Sequence, residues 1–91
     1  MIVALVMIRC QRDRIPDAAR TIAGFQGVSE VYSVTGEWDL VAMVRVDEWE
    51  KIAEVVTERI ARVDGLERTE THMAFRVLSK EDLDAAYEGF E

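Results

Sequence analysis

The residues of this chain specify an α+β domain of ferredoxin-like βαββαβ order, a four-stranded antiparallel sheet with two helices on one face. Three observations lead there. The chain carries two in-phase copies of one strand–helix–strand pattern, the opening strand of each copy is apolar on both parities, and the closing strand of each is more polar. The repeat is ungapped: Val3, Ala4 and Val6 recur as Val41, Ala42 and Val44, and at the same offset Ile22, Ala23, Gly27 and Val28 fall on Ile60, Ala61, Gly65 and Leu66. Chance produces one such block more readily than two in phase, so the repeat is read before any single element.

The first strand, Ile2 to Arg9, is almost wholly apolar and rich in β-branched residues, as a strand buried on both faces requires. Asp13 then stands where it can cap a helix, with Pro16 in its first turn, and Ile15, Ala18, Ala19, Ile22 and Ala23 recur at helical spacing up to Gly24 and Gly27. A returning strand, Val28 to Thr35, mixes polar residues into its run. The second copy opens with Leu40 to Val46. Its helix begins with Asp47 and Glu50 in capping-box spacing and is expected to turn Trp49, Ile52, Ala53, Val56, Ile60 and Val63 inward until Gly65 stops it. The last strand, Leu66 to Leu78, carries Arg68, Glu70 and His72 and reads as a sheet edge. Right-handed crossovers then give the strand order 4-1-3-2, with the two apolar strands central.

Two helices cover one sheet face only, yet the central strands are apolar on both parities. Four strands about 4.8 Å apart and roughly six residues long leave a bare patch on the order of 400 Å², about the most an isolated domain exposes. A homodimer with sheets face to face, a dimeric α+β barrel or sandwich assembling further through edges and loops, is the expected remedy. Residues 1–78 make the domain; residues 79–91 place Leu83, Ala86, Tyr87 and Phe90 on one side of either a short docking helix or an acidic tail.

Composition excludes several functions. With 91 residues there is room for one domain, and 49% hydrophobic against 32% charged residues is a globular balance. A net charge of −7 opposes direct nucleic-acid binding. The run Ile2 to Ile8 is too short to span a bilayer and lacks the flanks of a signal peptide, so a cytoplasmic protein is expected. One cysteine, Cys10, allows neither an internal disulfide nor a thiolate metal cluster and reads as an ordinary strand-end thiol; one histidine, His72, offers no multi-imidazole centre. No GxSxG elbow, phosphate-binding glycine motif or distinctive carboxylate pair is present, so neither catalytic residues nor a cofactor or metal are expected.

The informative local feature is the turn Thr35, Gly36, Glu37, Trp38 and Asp39. Gly36 can take positive φ and expose neighbouring amides to a carboxylate, while Asp39 or Glu37 can take an ammonium group; the same residues also suffice to make a plain turn. On the last strand Thr69 and Thr71 share a face and supply two hydroxyls, or simply cross-strand packing.

With these pieces assembled, residues 1 to about 78 resemble the RAM (ligand-binding) domain of the Lrp/AsnC, or leucine-responsive regulatory protein, family. The matching stretches are the apolar opening strand, FQGVSEVYSVTGEWDLVAMVRV and VDGLERTETHMAFRVL. The resemblance implies a non-enzymatic, dimer-based oligomer that binds an amino-acid effector between dimers. Gly36, Glu37, Trp38 and Asp39 match the contributing loop, and Thr69 and Thr71 match its hydroxyl positions. Met1 leads straight into the first strand, as in stand-alone members of the family without a helix-turn-helix, which implies regulation through a DNA-binding Lrp/AsnC relative or metabolite sensing alone. Two other classes share the architecture. A dimeric α+β barrel enzyme such as a small monooxygenase would need polar groups on the central strands, which offer Ala, Val, Leu and Met. An ACT-type module would hold its ligand near Arg9 to Asp13.

Overall fold

The computed structural model describes residues 1–76, 78 and 80. The expected C-terminal helix or tail over 79–91 lies, apart from Lys80, outside the described residues. Four strands, β1 (Ile2–Cys10), β2 (Val28–Ser33), β3 (Leu40–Val46) and β4 (Leu66–Met73), form one antiparallel sheet in the order β2-β3-β1-β4, which is the 4-1-3-2 order predicted by the repeat. The apolar strands β1 and β3 are central and pair along Ile2↔Val46 to Ile8↔Leu40; the more polar β2 and β4 are the edges.

Strand alternation divides these residues between two faces. Ala4, Val6, Ile8 and Cys10 of β1 and Leu40, Ala42, Val44 and Val46 of β3 are buried together with Ala18, Ile22, Ile52, Val55 and Ile60 of the helical layer, which makes the core. No polar or charged residue is buried among the described residues.

The first helix, α1 (Ile15–Ala23), follows a short 3₁₀ turn at Arg12–Arg14, so Asp13 lies inside that turn and caps nothing; Arg14 is the N-cap. Pro16 sits at the helix start, where its missing N–H is harmless. The second helical stretch is α2 (Trp49–Ala53), continued by a π-helical segment at Glu54–Arg59 and a 3₁₀ turn at Ile60–Arg62. Glu48 is its N-cap and makes no side-chain cap bond, so the Asp47/Glu50 capping box does not form. Val55 and Ile60, five residues apart, are buried on one side of the second helical stretch and Val56 is half-buried, while Trp49 and Ala53 in the α-helix before the π segment are exposed. Gly65, at φ +90°, ends this crossover, and a Cβ there would stand 2.6 Å from Arg14 Cβ and Cγ. Strand β2 stops at Ser33 and β4 at Met73, short of the expected Thr35 and Leu78.

Candidate functional site

The face of the sheet away from the helices is ordered in rows fixed by strand register. Glu30, Met43, Leu5 and His72 form one row across β2, β3, β1 and β4; Tyr32, Val41, Met7 and Glu70 form the next. The four central side chains, Leu5, Met7, Val41 and Met43, are half-buried, and neither helix among the described residues covers them. Each flank is a polar border. On the β2 side Tyr32 O–H donates to Glu30 Oε2 (2.6 Å), and Arg45 Nη1 lies 3.0 Å from Glu30 Oε1. The Tyr32 hydrogen bond, then the Arg45 charge, hold the Glu30 carboxyl below its usual range, and the same bond pushes the Tyr32 phenol up. On the β4 side His72 Nε2 is 2.8 Å from Glu70 Oε2.

The next row lies at one end of the sheet, where Arg9 of β1 and Arg68 of β4 are register partners. The turn of residues 34–39 closes over this end. Asp39 pins it: the Asp39 N–H donates to the Ile8 carbonyl (2.9 Å), and Asp39 Oδ2 accepts the Cys10 N–H (2.8 Å). A short carboxylate held between two strand ends is a structural tie, and it leaves Asp39 Oδ1 as the carboxylate's remaining acceptor atom. Cys10 is buried beside it, and burial first, then the Asp39 carboxylate, push its thiol up, which disfavours the reactive thiolate. Trp38 carries the Arg68 guanidinium over its ring at 5.1 Å, and Glu37 Oε1 lies 3.7 Å from Arg68 Nη1. Gly36 has φ +103° with nothing within 4 Å of where a Cβ would stand, so the turn's tip borders open space.

The residues singled out from sequence therefore fall into two groups. Gly36, Glu37, Trp38 and Asp39 sit together at the β1 end. Thr69 and Thr71 do share a face, but they pair with Ile8 and Val6 and so lie on the helix side of exposed β4, alternating with Arg68 and Glu70. Within one chain the two groups flank opposite sides of the β4 edge. Arg9 and Arg68 were not among the candidates; the signal that finds them is strand register.

A hollow of about 520 Å³ lies elsewhere, between the helices, and is lined by exposed charges such as Arg14, Asp17, Glu58 and Arg62. No group of three or more potential metal ligands is assembled among the described residues, and no helix among them is long and apolar enough to cross a membrane.

Comparison with known proteins places this geometry. The model of the Lrp/AsnC ligand-binding domain matches residues 3–83. An uncharacterized HTH-type transcriptional regulator of Pyrococcus furiosus is 33% identical over 81 residues, covering 86% of this chain and 54% of the relative, so the chain spans about half the length of the curated relatives it matches. A crystal structure of a Thermus thermophilus protein superposes with a TM-score of 0.83 at 46% identity, covering 88% of this chain and 100% of that one. A Neisseria meningitidis transcriptional regulator solved as an L-Met complex has the same fold, with a TM-score of 0.76 at 14% identity over 86% of this chain and 52% of that chain.

Proposed function

The chain belongs to the Lrp/AsnC ligand-binding-domain family, and from that premise we propose that it is the effector-sensing and assembling part of a transcription-regulating system. In this reading it forms a homodimer through the open sheet face, dimers associate further, and an amino acid binds where the Gly36–Asp39 turn meets a neighbouring copy. The −7 charge opposes DNA binding by this domain itself, and in this reading a DNA-binding relative that assembles with it supplies the DNA contact. The amino-acid class is supported by the L-Met complex of the Neisseria regulator. Thr69 and Thr71, turned to the other side of the β4 edge, join the site from an adjacent copy.

The observation that carries the proposal is the row pattern of the open face. Four large apolar side chains bordered on both flanks by ion-paired polar groups match the apolar-core, polar-rim anatomy of a subunit interface. An enzyme pocket on that face would need orienting polar groups at its centre, where only Leu5, Met7, Val41 and Met43 stand. Native mass spectrometry with and without the standard amino acids tests the reading. The expected result is an oligomer of even subunit number that gains an amino-acid mass; a monomer at micromolar concentration, or an oligomer indifferent to all amino acids, overturns it.

A further inference from the structure

Arg9 and Arg68 stand directly opposite each other on adjacent strands and the same face. Like charges in that position are destabilising, and neither strand forces them there: Arg9 ends an otherwise apolar run, and β4 is a free edge. Among the described residues no carboxylate makes a close pair with either guanidinium. Arg68 reaches Glu37 at 3.7 Å and Glu70 at 4.0 Å, both beyond a charge-assisted hydrogen bond, and Arg9 forms no ion pair among the described residues. Two further details bear on the same spot. The β1–β4 register shifts between Arg9 and Cys10, leaving Glu67 as a bulged residue, and such bulges re-aim neighbouring side chains. The Arg68 guanidinium stands over the Trp38 ring, 5.1 Å from its centroid, and its Nη1 and Nη2 reach carboxylates only at 3.7 and 4.0 Å.

From this juxtaposition we infer that the Arg9–Arg68 pair is the carboxylate-holding element of the effector site, the fork of Arg68 taking the α-carboxylate of a free amino acid with Arg9 as the second cation. Glu37 is then the internal counter-ion that the incoming carboxylate displaces, and Trp38 the platform that keeps Arg68 in place meanwhile. Open space beside Gly36 leaves room for the rest of the molecule. The assignment rests on the amino-acid reading above and names the atoms that would recognise one end of the ligand.

The test uses the full chain carrying Trp49→Phe, so that emission reports Trp38. Each standard amino acid is titrated, each binder is compared with its carboxamide, and the titrations are repeated on Arg68→Gln, Arg68→Lys and Arg9→Gln. Sodium acetate against sodium chloride at equal ionic strength serves as a ligand-independent probe, and native mass is recorded throughout. Removing the charge-assisted hydrogen bond, by the amide or by Arg68→Gln, should weaken binding about 10- to 100-fold, with Arg68→Lys between and the oligomer unchanged. Equal affinity for acid and amide, or for Arg68→Gln and the parent, overturns this assignment and leaves the amino-acid reading standing. If no amino acid binds, a saturable acetate response abolished in Arg68→Gln and in Arg9→Gln sustains the carboxylate site while the amino-acid reading fails; no acetate response then overturns both. If Arg68→Gln lowers the oligomer mass without changing amino-acid affinity, the anion is a neighbouring copy's carboxylate and the assignment is wrong.

Discussion

Met7 and Ile8 are neighbours in β1 and look out on two different environments. Ile8 is fully buried between Leu40, the edge of β4 and the helices; Met7, in the row with Tyr32, Val41 and Glu70, is half-buried on the face away from the described helices. The composition of the two faces is similar at their centres and differs at their borders. Apolar residues run to the β2 edge beneath the helices, whereas on the open face Glu30, Arg45, Glu70 and His72 frame the apolar centre. The helix face holds the domain together, and the open face is the surface that another copy completes in the proposed dimer.

The sharpest way to break that contrast is to remove one side chain from each face. Ile8→Ala should cost about 2–5 kcal/mol in urea unfolding, the range for a large-to-small change in a closed core. Met7→Ala should cost the isolated domain less than about 1 kcal/mol, because its site can fill with water. Met43→Asp complements the pair: in the proposed dimer it places an unpaired carboxylate at the centre of the interface, so the native mass should fall to that of a monomer while the circular dichroism of the domain is kept. Equal losses for Ile8→Ala and Met7→Ala would mean that the two faces are equally buried in solution, with the open face contributing to folding itself.

Next in size is the end of the second crossover. Gly65→Ala forces a side chain into positive φ and against the stem of Arg14, and should destabilise by about 1–3 kcal/mol, whereas Gly36→Ala, with the same sign of φ but open space, should cost nearer ~1 kcal/mol. Thermal melts of the two variants side by side separate backbone strain from collision. Asp39→Ala follows: it leaves the Cys10 N–H without its acceptor and should cost about 1–2 kcal/mol and raise hydrogen exchange at Cys10. For that reason an affinity change in Asp39→Ala reads as a loss of turn geometry unless the melt is unaltered.

Much of this was legible in the residues alone, for reasons that can be named. The repeat exposes βαββαβ order because equivalent residues of two superposable units must match, and the double apolar parity of Ile2–Ile8 and Leu40–Val46 places those strands centrally because the more polar strands go to the water-facing edges. Helix detail was less legible. A 3.6-residue period assumes a regular helix, which the π segment at Glu54–Arg59 is not, and Val55 was missed; Trp49, the first residue of α2, was expected inward and is exposed; the acidic cap signals at Asp13 and Asp47 lost to the 3₁₀ turn and to Glu48. At the candidate site the Gly36–Asp39 turn was readable because glycine and aspartate have strong local preferences. The Arg9–Arg68 pair was not, since two residues far apart in the chain become neighbours only through a register that the Glu67 bulge alters by one. Thr69 and Thr71 were correctly seen to share a face, but which face is again a matter of register.

The smallest expected effect concerns the polar border of the open face. Tyr32 donates to Glu30 and Arg45 pairs with it, and both hold the Glu30 carboxyl below its ordinary value, the hydrogen bond being the larger cause. A carboxyl whose folded value is depressed is protonated more readily in the unfolded chain, so its contribution to stability is present above the ordinary value of 4.5 and is lost as pH falls through the folded value. Tyr32 behaves oppositely at the alkaline end: its raised phenol contributes below the ordinary value of 10.0 and the contribution disappears as pH rises through the folded value. Tyr32→Phe should move the Glu30 titration midpoint, followed by the NMR shift of its carboxyl carbon, back toward 4.5 without abolishing the residual depression from Arg45. Because both groups are solvent-facing in the single chain, salt should weaken the Arg45 part and leave the Tyr32 part nearly unchanged. If salt has no effect on either part in the native oligomer, the border is covered by a second copy, and the contrast between the two faces of the sheet is one between intramolecular and intermolecular burial.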